Sequence, residues 1–160
     1  MKQKLQEYAL LAEIFSALAI VVSLIFVGIQ IQQSSELSQI NAYQSIRQSI
    51  NSLNELVISN PEFASVVVRA RYDEELLPSE QRQLQSFGFS LFNLGDMAYK
   101  QYESNLISED ELLEMLSPIG YWIGDLKYTN QQWRAMARDE SGSLDRGFVA
   151  YVQENIIDSQ

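Results

Sequence analysis

At 160 residues the chain suits one ordinary domain rather than two with separate large cores, and 46% apolar against 20% charged residues excludes disordered and collagen-like classes. Eleven Lys plus Arg against 21 Asp plus Glu give a formal charge of −10, so the clustered cations that nucleic-acid phosphates require are lacking and no nucleic-acid partner is expected. Without a single Cys or His, disulfides, Cys/His zinc sites, thiol catalysis, Ser-His-Asp triads and His-ligated haem are all excluded.

The first element is the most informative. From Ile14 to Ser35 there is no charge, and Ile14 to Ile29 is apolar apart from Ser16 and Ser23. That core alone rises about 24 Å as a helix, short of a hydrocarbon layer of about 30 Å. Tyr8 to Ala12 is also apolar and is separated from it only by Glu13, so a span from Tyr8 to Ile29 reaches about 33 Å. The reading is a single transmembrane helix, with residues 1–33 as span and flanks and 34–160 as a helical soluble domain. A cleaved signal peptide and the buried core helix of a soluble protein are the alternatives. Against the first, Val27-Gly28-Ile29-Gln30-Ile31-Gln32 offers no convincing cleavage site. Lys2 and Lys4 precede the span and the first cation after it is Arg47, so the positive-inside rule favours a cytoplasmic N-terminus and an outward, periplasmic domain.

No Gly or Pro occurs between Gly28 and Pro61, and Leu37, Ile40, Tyr43, Ile46, Ile50, Leu53 and Val57 keep helical spacing, so the first helix is expected to run to about Ser59. Asn60 then caps a second helix with Pro61 at its first position, expected to end near Leu77-Pro78. A longer helix capped by Ser79 carries Leu84, Phe87, Leu91, Phe92, Met97 and Tyr102, with Gly88 and Gly95 inside it. Ser108 and Glu111 form a capping box for the next helix, which Pro118 breaks or kinks, and Tyr121-Trp122 follows. Thr129 or Asn130 caps a short helix, Ser141-Gly142-Ser143 is a turn, and Leu144 to Ile157 is a last amphipathic helix. No segment sustains period-two alternation, so the class is all-α.

The run Ala19-Ile20-Val21-Val22-Ser23-Leu24-Ile25-Phe26-Val27-Gly28-Ile29-Gln30-Ile31-Gln32-Gln33-Ser34 resembles a widespread family of small, uncharacterised bacterial membrane proteins. Its members open with an apolar helix of the form E-I-x-G-A-I-A-V-V-x-S-L-I-Y-V-G-x-Q-I-R-Q-N. Matches fall at Glu13, Ile14, Ala17, Ala19, Val21, Ser23 to Ile25, Val27, Gly28, Gln30, Ile31 and Gln33. Departures fall at Gln32, where the family has Arg, and at Ser34, where it has Asn. The resemblance implies a single-pass protein of the bacterial inner membrane with a helical domain, and no activity. The missing Arg removes a cation that would hold the downstream side in the cytoplasm.

Two features carry candidate chemistry. Glu13 is either an interfacial residue at headgroup level or one of a ring of carboxylates at an oligomer mouth. Ala9, Ala12, Ser16, Ala19, Ser23, Phe26, Gln30, Gln33, Leu37 and Ile40 alternate by three and four, a heptad seam that is small or hydroxylated within the span apart from Phe26. Small residues let helices approach closely, which predicts a parallel homo-oligomer. Asp73-Glu74-Glu75 reads as a solvated turn, and Asp139 to Asp145 lacks the glycine and terminal Glu of a calcium loop. Asp96 and Lys100 read as a surface pair, and Tyr99, Tyr102, Tyr121, Trp122, Tyr128 and Trp133 as core rather than pocket. No phosphate loop or nucleophile motif is present, so no catalytic site, metal or cofactor is expected. The leading expectation is a membrane-anchored assembly module whose partners are the bilayer, itself or another protein. The alternative is a small oligomeric ion channel lined by the first helix.

Overall fold

The apolar periodicity resolves into helices throughout. The computed structural model describes residues 2–139 and 142–158, with side chains from Glu13 onward. In order come α1 (Lys2–Ser59), α2 (Pro61–Arg71), α3 (Pro78–Glu103), α4 (Glu109–Gly124), α5 (Lys127–Arg138) and α6 (Arg146–Val152), closed by a π-helical turn at Gln153–Ile157. Among the described residues there is no strand, and the protein is all-α. Two units are distinguished, Met1–Ile40 and Asn41–Gln160. This division and the one read after Gln33 both fall inside α1.

The helix ends follow from a few side chains. Asn60 Oδ1 accepts from the Phe63 N–H with Pro61 at the first helical position, and Ser108 with Glu111 forms a reciprocal capping box. Helix α2 stops at Arg71, short of Leu77, because Asp73 turns left-handed (φ 54°). Its N–H donates to Ala70 O and that of Glu74 to Arg69 O, the paired bonds of a Schellman ending. Helix α3 ends the same way at Asn105 (φ 56°), with Asn105 bonded to Tyr102 O and Leu106 to Gln101 O.

Four further helix starts or stops differ from the sequence reading. Ser79 does not cap α3: Pro78 takes the first helical position, and Glu80 reaches back to accept the Leu77 N–H at 2.9 Å. Pro118 does not break α4, which continues to Gly124 and takes in Tyr121 and Trp122. A proline cannot donate to the Glu114 carbonyl, and the neighbouring Ser117 hydroxyl donates to that oxygen at 2.9 Å. Thr129 and Asn130 do not cap α5, whose N-cap is Leu126. Thr129 Oγ1 donates to the carbonyls of Leu126 and Trp122, and Asn130 Nδ2 to that of Ile123 at 2.8 Å, so both satisfy oxygens at the end of α4 and in the α4–α5 connection. The last helix begins at Arg146 rather than Leu144, capped by Asp145 at the N–H groups of Gly147 and Phe148. Of the Ser141-Gly142-Ser143 turn, Ser141 lies outside the described residues, and Gly142 has the positive φ (83°) of a turn glycine.

Helix α3 is the axis of the second unit and packs against α2, α4, α5 and α6. Leu84, Phe87, Leu91, Phe92 and Ala98 supply its buried face, joined by Leu112, Leu116 and Ile119 of α4, Trp133 of α5, Phe148 of α6 and Ile46 of α1. Gly95 makes the α4 and α6 crossings possible: a Cβ there would lie 2.5 Å from Ile119 Cδ1 and 2.9 Å from Phe148 Cζ. Among the described residues, every core residue lies between Ala42 and Ile156.

Candidate interaction surfaces

Every described side chain from Glu13 to Asn41 is exposed. The large apolar ones from Ile14 to Ile31 are all 47–70% exposed, and the helix that carries them is long and apolar enough to cross a membrane. Ser16, Ala19, Ser23, Phe26, Gln30 and Gln33 follow one another along an unbroken helix at three- and four-residue steps, which places them on one side, whereas Glu13 lies off that side, more than a quarter-turn from its middle. The side chains of Ala9 and Ala12 lie outside the described residues. Nothing comes within 4 Å of a Cβ built on Gly28, so that stretch of surface is open. Beyond the apolar core, Gln32 Nε2 donates to Glu36 at 3.2 Å and Ser38 to the Ser34 carbonyl.

In the second unit the polar groups that matter were only partly visible in the sequence. Asp96 and Lys100 are not a surface pair, because Asp96 is buried at 6% exposure. One oxygen accepts from Lys100 Nζ and the other from the Asp145 N–H at 2.8 Å, so a single carboxylate joins α3 to the cap of α6 across 49 residues of sequence. The hydrogen bond to Asp96 raises the Lys100 pKa above its ordinary value. No spacing rule links residues 96 and 145; only the fold brings them together.

Beside this carboxylate, Tyr99, Tyr102 and Tyr151 form a triangle of rings with centroids 5.6–6.1 Å apart, and Phe148 lies 6.1 Å from Tyr99. The Tyr151 hydroxyl donates to Glu109 at 3.3 Å, and burial, with that carboxylate adding to it, pushes the phenol up to about 12. Burial also raises Tyr99, with Glu103 and Asp145 adding to it. Trp122 and Trp133 are core residues, Tyr128 packs against the core, and Tyr121 is exposed with Arg71 5.4 Å over its ring.

Ion pairs tie neighbouring elements. Arg47 on α1 meets Glu114 on α4 and the Tyr43 hydroxyl; Arg71 meets Asp125 at 3.3 Å; Arg69 meets Glu80, the residue that also caps α3. The Arg69 guanidinium and then the Leu77 N–H hold Glu80 below the usual carboxylate range. The Asp73-Glu74-Glu75 run is exposed, and Glu140 and Ser141 of the Asp139–Asp145 loop lie outside the described residues. Among the described residues, no group of three or more metal-capable side chains converges.

No known protein family, curated protein or solved structure matches the chain.

Proposed function

We propose that the chain is a single-pass membrane protein that self-associates through its first helix and presents the 41–160 helical unit as an interaction module. The observation that supports this most directly is the bare apolar surface of Ile14 to Ile31. Burying a side chain of this kind is worth about 1.5–3 kcal/mol when complete. A dozen such chains, each about half-exposed, would therefore forgo roughly as much as the whole 5–15 kcal/mol stability of an ordinary domain if left in water. Lipid removes that cost. A core helix of a soluble protein would be covered by its own chain, and this one is not.

Self-association rests on the small and hydroxyl residues of the seam, which gain nothing from lipid and permit close packing between helices. Lys2 and Lys4 before the span favour a cytoplasmic N-terminus and a periplasmic helical unit. The resemblance of residues 13–33 to the bacterial family favours the inner membrane as its location. Alkaline carbonate extraction of membranes tests the anchor: the chain stays in the pellet, and quantitative release into the soluble fraction refutes it.

A further inference from the structure

Within the second unit, the end of α1, the start of α2 and the outer face of α3 enclose a cleft of about 380 Å³. That is at the low end of the roughly 300–1,000 Å³ range of small-molecule sites. Its floor is apolar: Leu53, Phe63 and Phe87, the two phenyl rings 5.5 Å apart, with the half-exposed Leu56 at the rim. The one charged residue among those lining it is Arg82, on the exposed side of α3. Arg82 forms no ion pair with a described residue. In a chain of net charge −10, this cleft therefore combines an apolar floor with an uncompensated guanidinium.

We propose that the cleft binds a single-chain amphiphile with a carboxylate head, a medium-chain fatty acid, its chain over Phe63 and Phe87 and its head on Arg82. A guanidinium offers a carboxylate a two-point, charge-assisted hydrogen bond, and an aliphatic tail matches the floor, which holds no charged group. A cationic amphiphile would meet Arg82 with like charge, and a bulky or highly polar ligand would leave the aromatic floor uncovered. The proposal is independent of the membrane reading, since every lining residue lies between Leu53 and Ser90.

The test is equilibrium dialysis of radiolabelled decanoate against the full chain in nanodiscs of neutral phosphatidylcholine, with empty nanodiscs subtracted. Saturable binding of about one equivalent is expected, accompanied by a change in emission from Trp122, whose ring lies 4.3 Å from Phe87 under the floor. Arg82→Glu should weaken binding roughly tenfold or more, the usual scale for a lost charge-assisted hydrogen bond. Arg134→Glu, on an exposed α5 position outside the cleft, should not. Ser90→Phe, which fills the cleft, should abolish binding with Arg82 intact. Decyltrimethylammonium should bind the wild type at least about tenfold more weakly than decanoate, a comparison independent of any variant's folding. Uptake equal to that of empty nanodiscs, equal affinity in Arg82→Glu, or equal affinity for the two amphiphiles would overturn the proposal.

Discussion

Asp96 is the residue on which two remote parts of the helical unit converge. Replacing it by Ala leaves the Asp145 N–H without its acceptor and Lys100 without its hydrogen-bonded carboxylate partner. A buried donor stranded in this way costs about 1–3 kcal/mol, and the cavity adds to it. Asp96→Ala is thus expected to lower stability by about 2–4 kcal/mol in urea titration of the detergent-solubilised protein. Asp96→Asn should lose less, because an amide oxygen can still accept from residue 145. A second contrast separates the two glycines of α3. Gly95→Ala drives a methyl into Ile119 and Phe148, an overpacking cost of about 1–3 kcal/mol. At Gly88 the nearest atom is the end of the flexible Gln132 side chain, 2.9 Å away, with Thr129 Cγ2 next at 3.2 Å. There the gain in helix propensity, about 1 kcal/mol, offsets much of the crowding, so thermal melts should show a large loss for Gly95→Ala and little change for Gly88→Ala.

At the scale of elements, what the sequence disclosed and what it hid divide by the range of the interaction. Two caps formed within three residues were legible, Asn60 with Phe63 and Ser108 with Glu111, whereas Glu80 at Leu77 and Asp145 at Phe148, equally local, were not. The length of α1 was legible too, since nothing breaks its pattern before Asn60. Thr129 and Asn130 were misread because their residue type signals an N-cap, while the oxygens they satisfy lie as far back as Trp122 and Ile123. The endings of α2 and α3 were hidden because their left-handed residues are Asp73 and Asn105 rather than glycine. Asp73→Gly should relieve that conformation and stabilise the protein by roughly 0.5–1 kcal/mol, read as a higher urea midpoint. The seam of α1 rests on spacing along one helix alone; Asp96 with Asp145 and the tyrosine triangle could not be read, because tertiary packing alone assembles them.

The tyrosine triangle also carries a pH dependence. Tyr151 holds its proton up to about 12 in the folded chain, while an unfolded tyrosine releases it near pH 10. Between those values the folded state binds more protons, so this contribution is fully present below about pH 10 and is lost as pH rises toward 12. Tyr151→Phe should make the alkaline fall in stability shallower over that window, as followed by helical ellipticity in denaturant at fixed pH steps. Equal slopes for the two proteins would mean that the phenol is solvated in the folded chain.

For the whole molecule, the described buried core lies between Ala42 and Ile156, while most of the exposed apolar surface of the first helix lies before it, from Ile14 to Ile40. A fragment of residues 41–160 should therefore fold, stay soluble and be monomeric without detergent, with cooperative melting by circular dichroism. The full chain should require detergent or lipid. The central claim is that the first helix both anchors and assembles the protein, and its most direct test is the mass of the full chain in a mild detergent. The wild type is expected to be a discrete oligomer and Ile25→Leu, off the seam, the same. Ser23→Leu and Ala19→Leu place a bulky side chain where close approach is needed and should dissociate or rearrange it. A monomeric wild type, or one mass shared by all three variants and the wild type, would contradict the account.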